Sequence, residues 1–250
     1  MRKTFYKLLF LSLLSGPAAA APLPNDDCVV FIHGLARTSS TFAFMEPTFK
    51  KLGYATHLID YPSTKHDLNT LTQSAFKDLP SCKGQMHFVT HSMGGILVRK
   101  WLSTHQPDNL GRVVMLAPPN QGSEIIDTFQ DQKWFQMLNG PASLELSTDP
   151  NSTPNSLGPV DFPLGVIAGT QTVNPILSSF IPGPDDGKVS VQRSKVEGMS
   201  DHIVLPGTHT FLMNNPLVQF QTYHFLQNGK FDKSATFQDG FRKVSEIYLP

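Results

Sequence analysis

Apolar runs of strand length recur along the chain: CVVFIHG from Cys28, YATHLIDY from Tyr54, QMHFVTHS from Gln85, RVVMLAPP from Arg112, FPLGVIAGT from Phe162 and HIVLPGTH from His202. None alternates strictly between apolar and polar positions, the pattern of strands covered on both faces of a parallel sheet. Between them the spacing turns helical. Ser39 or Ser40 can cap a helix carrying Phe42, Met45, Phe49 and Leu52 on one stripe, closed by Gly53, with Pro47 near its middle. Asp67 caps a second with Leu68, Leu71, Phe76 and Leu79 inward before Pro80. A mostly apolar helix starts at Met93, and Asn215-Pro216 opens another with Leu217, Phe220 and His224 along one face. Strands alternating with helices predict an α/β fold, a mostly parallel sheet of about six strands with helices on both faces.

Two stretches break this rhythm. Residues 121–160 hold FQDQKWFQML, an apolar helix, and then a Pro-, Asn- and Ser-rich loop; residues 170–200 are loop-like around IPGPDDGKVS. Long loops inside a compact domain are more often functional than accidental, so the first is expected to form a short lid-like insert. The tail after Asn228 carries no expectation.

The N-terminus runs from basic MRKTFYK through apolar LLFLSLLSG to PAAAAP, a signal-peptide pattern with cleavage expected after Ala20. Its apolar run is short of the ~20 residues that span a bilayer. Residues 1–20 are therefore read as a leader, and 21–250 as one domain of an exported protein, periplasmic or secreted. At 250 residues the chain suits a single core. Lysine plus arginine equals aspartate plus glutamate at 20 each, which removes nucleic acid as an expected partner and leaves a neutral small molecule. A monomer is expected. Export also alters the reading of the two cysteines. Cys28 and Cys82 each precede a strand, and neighbouring parallel strands start at one sheet edge, so the two can pair; two separate buried thiols are the alternative.

Candidate chemistry centres on VTHSMGG. Ser92 falls on a sharp turn between a buried strand and a helix, where its hydroxyl stands above the sheet beside free backbone donors. Such a turn needs small residues two positions to either side; Gly94 meets this, while Thr90 departs from the usual glycine. The first strand ends in FIHGLARTSS, which offers the Leu35 N–H as an oxyanion donor beside that of Met93, with Gly34 allowing a close turn. Functional groups collect at the carboxyl ends of parallel strands, so the acid is expected in GPDDGKVS, as Asp185 or Asp186. Asp186 is favoured because Gly187 permits a bend. The base is expected at His209, released at the carboxyl end of HIVLPGTH, whereas His202 sits at that strand's entry. His57 and His87 fall within strands, His66, His105 and His224 near or on helices, and His91 is expected to point away from Ser92.

The order Ser92, Asp186, His209, with HG after the first strand, HSMGG at the turn, a DG acid loop and a late H-T, resembles small bacterial lipases and esterases of the α/β-hydrolase superfamily over most of Cys28 to Leu226. VMLAPPNQGSE is similar to the segment leading into the lid of such lipases. The resemblance implies a serine ester hydrolase, lipase or esterase, working through an acyl-enzyme with no cofactor and no metal. Trp134 and Phe135, with Met137 and Leu138, would then cap the site against acyl chains or an aromatic acid, or else pack the core. The implied substrate is a small-molecule or lipid ester, with transient contact at a lipid interface. Acyl transfer to an alcohol, or a catalytically silent binding protein on the same fold, are the alternatives.

Overall fold

Side chains along the first strand divide between two cores. β1 (Cys28–Ile32) is buried throughout. Cys28, Val30 and Ile32 enter one apolar cluster, and Val29 and Phe31 enter the other, as the two-residue period of a strand requires. This computed structural model describes residues 26–249, so the leader expectation with its cleavage point at Ala20 lies outside the described residues.

Five further strands follow: β2 (Ala55–Ile59), β3 (Met86–His91), β4 (Leu110–Leu116), β5 (Leu164–Gln171) and β6 (Asp201–Thr208). All pair in parallel in the order β2-β1-β3-β4-β5-β6. The edge strands β2 and β6 are only partly buried, unlike the double-faced cover their sequences suggest. An edge strand has a neighbour on one side only.

The helices are α1 (Met45–Lys51), α2 (Leu68–Phe76), α3 (Met93–Leu102), α4 (Glu124–Phe129), α5 (Lys133–Asn139), α6 (Pro141–Leu144), α7 (Thr153–Ser156), α8 (Pro175–Ser178), α9 (Pro216–Asn228) and α10 (Phe237–Tyr248). Leu68 and Leu71 of α2 and Ile96 and Leu97 of α3 pack one face of the sheet. Met45 and Phe49 of α1 and Leu217, Val218 and Phe225 of α9 pack the other. Asp67 accepts the Thr70 N–H and so caps α2.

Several local expectations are corrected. The first helix is split: a 3-10 turn at Ser39–Phe42 precedes α1, so Pro47 falls in the first turn of α1, where its missing N–H has no bond to lose. The buried face of α9 is Val218, Gln221, Thr222 and Phe225, with Phe220 and His224 only half-buried. Residues 121–160 hold four short helices, α4 to α7, rather than one helix and a loop. The tail forms α10, started by a capping box between Thr236 and Asp239.

Two features of this frame bear on function. The chain steps from β1 outward to β2 and then back across to β3, so the strand order reverses between β1 and β3; a crevice opens at such a point, above the carboxyl ends of the strands. At the opposite edge a disulfide joins Cys28 to Cys82, with Cα atoms 5.7 Å apart. No helix among the described residues is long and apolar enough to cross a membrane.

Candidate active site

Ser92 occupies the step from β3 into α3 with φ 52° and ψ −126°, a region non-glycine residues seldom enter and one that costs about 1–3 kcal/mol. Its neighbours hold it there. The Ser92 N–H donates to the Leu116 carbonyl of β4 at 2.9 Å. A Cβ on Gly94 would collide with the backbone carbonyls of Ile32 and His33, so only glycine lets α3 approach β1 this closely. The departure at Thr90 is absorbed nearby: a Cβ on Gly95 would stand 3.2 Å from Thr90 Oγ1, so Gly95 supplies the space that Thr90 takes. Thr90 Oγ1 is buried without a partner.

The three residues singled out for acyl chemistry meet at the carboxyl edge. Ser92 Oγ lies 3.0 Å from His209 Nε2, and His209 Nδ1 lies 2.8 Å from Asp186 Oδ2. An ionised carboxylate only accepts, so Nδ1 carries the proton and donates to Asp186, leaving Nε2 to accept from the Ser92 hydroxyl. The other Asp186 oxygen accepts the N–H groups of Lys188 at 3.0 Å and Val189 at 2.9 Å, and the Asp186 carbonyl accepts the His209 N–H at 2.9 Å. Gly187, at φ +96°, makes the bend. Asp185 is turned elsewhere: its oxygens accept from Ser178 Oγ at 2.6 Å and from the Gly187 N–H at 2.7 Å. It builds the loop on which Asp186 stands. His202 is also remote in role, paired with Ser194 Oγ at 3.1 Å.

The loop after β1 comes up beside the elbow. His33 is fully buried and stacked on Tyr61 with ring centroids 4.2 Å apart. Its Nδ1–H donates to the Gly34 carbonyl at 2.9 Å, and Tyr61 Oη–H donates to the His33 carbonyl at 2.6 Å. Burial lowers the His33 imidazole below its usual value, which keeps it neutral for this role. A Cβ on Gly34 would stand 2.9 Å from Ser92 Cβ. Next in the chain, the Leu35 N–H has no acceptor among the described residues, and Met93, first residue of α3, has none within its helix. Leu35 and Ser92 line one cavity.

His91 does not point away from the site. It is 1% exposed, its Nε2–H donates to the His209 carbonyl at 2.8 Å, and its ring centroid lies 4.8 Å from that of His209. Burial above all, then the neighbouring His209, holds its imidazole well below the ordinary histidine value. A neutral ring is thus wedged under the backbone of His209, a position its place beside Ser92 in sequence did not suggest.

The cavity above Ser92 and His209 measures about 210 Å³. Its apolar wall is Ile125, Ile126 and Phe129 of α4 with Trp134 and Phe135 of α5. Phe129 packs at 5.7 Å from Trp134 and 5.4 Å from Phe180. Phe135 is buried, whereas Trp134 is about half exposed. The α4 residues escaped the sequence reading because EIIDTF is too short to show a helical period. Among the described residues no group of His, Cys, Asp and Glu converges as a metal-ligand set.

No protein-family model and no curated protein matches the chain. Solved structures do. The mature Bacillus licheniformis lipase BlEst2 superposes with a TM-score of 0.62 at 20% identity, over 84% of this chain and 96% of that one. The Legionella pneumophila phospholipase PlaB gives 0.60 at 17% identity over 89% of this chain, which spans 62% of PlaB. The metagenomic carboxyl esterase MGS0156 gives 0.60 at 16% identity, over 94% of this chain and 79% of that one. At these identities the likeness establishes the architecture, the α/β-hydrolase fold.

Proposed function

We propose that this α/β-hydrolase-fold chain is a serine carboxylic-ester hydrolase, with Ser92 as nucleophile, His209 as base and Asp186 as the group that orients it. The observation that carries the reading is the continuous line from Ser92 Oγ at 3.0 Å to His209 Nε2 and from Nδ1 at 2.8 Å to Asp186, in a cavity with an apolar wall. In this reading Ser92 Oγ attacks the ester carbonyl carbon as its proton passes to His209 Nε2. The oxyanion that forms takes hydrogen bonds from the Leu35 and Met93 N–H groups, each worth about 3 kcal/mol in systems where one was removed. His209 then protonates the departing alcohol, and water, activated by the same nitrogen, releases the acid from the acyl-enzyme.

The substrate belongs to the esters with an apolar acyl or aromatic acid part, held by Trp134, Phe135 and Phe129. The solved neighbours named as lipases, phospholipase and esterase agree with this class. Exposed Met137 and Leu138 on α5, beside Trp134, fit contact with a lipid interface. The reading extends to an exported, monomeric protein of one domain with residues 121–160 as a lid-like insert.

The test is hydrolysis of p-nitrophenyl esters of increasing chain length, and of emulsified triglyceride, by the mature chain and by Ser92→Ala. Turnover is expected to fall by about 10⁶-fold in the variant. Undiminished turnover there would remove the mechanism, and release of transferred ester in place of free acid when an alcohol is added would replace hydrolysis by acyl transfer.

A further inference from the structure

The cavity that holds Ser92 and His209 is lined by more than apolar side chains. Arg37, from the loop after β1, and Lys188, two residues beyond Asp186, line it as well. Arg37 Nη2 donates to Thr210 Oγ1 at 3.0 Å, which anchors the guanidinium next to the base. No carboxylate lies within 4.0 Å of either cationic head among the described residues.

The carboxylate whose charge acts on Lys188 is Asp186, and its hydrogen-bonding capacity is taken. One of its oxygens faces His209 and the other accepts two backbone N–H groups. Glu124 is engaged by Ser190 and Arg193. Lys188 is exposed, yet the protein packed around its ammonium lowers it below the usual lysine value. The like charge of Arg37 pushes the same way, and Asp186 opposes it.

Two cations lining one cavity, neither of them in an ion pair, repel, so they do not stabilise the empty fold. Their arrangement is favourable once an anion sits between them, because charge-assisted hydrogen bonds to an oxyanion are short and strong. We propose that Arg37 and Lys188 form an anion subsite beside Ser92, so that the ester this site takes carries a second, negatively charged group, a carboxylate or phosphate, together with an apolar chain. The substrate class rests on the hydrolase reading above; the subsite itself does not. The apolar part lies along α4 and α5, and the charged part against the loops after β1 and β5.

Calorimetric titration with hexyl phosphate, hexanol and inorganic phosphate tests the subsite without any turnover. The wild-type chain is expected to bind hexyl phosphate at least about tenfold more tightly than hexanol. Lys188→Met and Arg37→Met should each erase most of that preference, and Lys188→Arg should retain it. Hexanol affinity and the melting temperature report whether each variant is folded. Equal affinity for hexyl phosphate and hexanol, or a preference that survives both methionine variants, overturns the subsite. So does inorganic phosphate binding as tightly as hexyl phosphate, which would put the anion away from the apolar cavity. The two readings fail separately: a chain that cleaves neutral p-nitrophenyl esters but shows no charge preference keeps the hydrolase and loses the subsite. A chain with the charge preference and no esterase activity does the reverse.

Discussion

The elbow and the cap face each other across one cavity and are built in opposite ways. Around Ser92, Asp186 and His209 the exposures are 9%, 2% and 5%, and the turn is held by the Ser92 N–H bond to Leu116 and by Gly34 and Gly94, which admit no side chain. On the cap, Trp134 is 49% exposed, Met137 80% and Leu138 61%, on a helix of seven residues. A rigid wall suits the positioning of reacting atoms, where small displacements are costly. A wall of short helices that seats Ile125, Ile126 and Phe135 in the core but leaves Trp134, Met137 and Leu138 exposed suits recognition. Changes on the first wall should therefore act on kcat, and changes on the second on substrate preference.

The sharpest test uses two adjacent residues. Asp186→Asn is expected to lower kcat by about 10⁴-fold through loss of the correct His209 tautomer. Asp185→Asn, which touches only the loop, should cost less than about tenfold, and the reverse ranking in kcat would move the acid to Asp185. Gly34→Ala is next: the added methyl meets Ser92 Cβ, and a displaced nucleophile lowers kcat by about 10²-fold at little cost in melting temperature. On the other wall, Trp134→Ala should reduce the ratio of kcat/KM for long over short acyl chains by about 10- to 200-fold, the worth of about 1–3 kcal/mol of apolar contact. A uniform loss at all chain lengths would make Trp134 part of the rigid wall after all.

Acid supplies a smaller effect, on stability. Buried His91 has its imidazole lowered from 6.5, so as pH falls through that value the unfolded chain gains a proton that the folded chain refuses. Stability contributed by the neutral ring is present above pH 6.5 and declines below it, by up to about 1.4 kcal/mol per pH unit. Urea unfolding at about pH 7.5 and about pH 5.5 should show the decline. His91→Gln should make the decline shallower, leaving the part contributed by His33, His87 and His202, which burial also lowers, and an unchanged slope in that variant would assign the effect to those groups.

The four inner strands were legible because two-sided burial leaves an unbroken apolar run. The elbow was legible because a buried strand that passes directly into a helix leaves room for one tight turn, with Ser92 at its apex. The structure also brings Asp186, rather than Asp185, to His209. Helices α4, α6, α7 and α8 were not legible, since four to six residues complete at most two turns and show no period; of the helix expected in FQDQKWFQML, α5 forms the second half. The buried face of α9 misled for another reason: Gln221 is fully buried because its amide exchanges hydrogen bonds with the backbone of Asp232, at 2.6 and 2.9 Å. Polarity alone reads such a residue as exposed. Helix α10 has its start written in TFQD, where Thr236 and Asp239 cap one another, a signal of two residues within a mostly polar tail. His91, Arg37 and Lys188 were missed because their setting depends on which loops converge.

Serine and histidine of the 3.0 Å contact are separated by 117 residues of chain, with β4 and β5 and the whole cap between them. A polypeptide leaving the ribosome carries the turn at Ser92 long before it carries His209. On the mechanism proposed above, every stalled or C-terminally truncated product that ends before β6 would be inert toward esters, however well its first half has folded. The order of synthesis alone withholds the assembled Ser92–His209–Asp186 geometry until the chain is nearly complete.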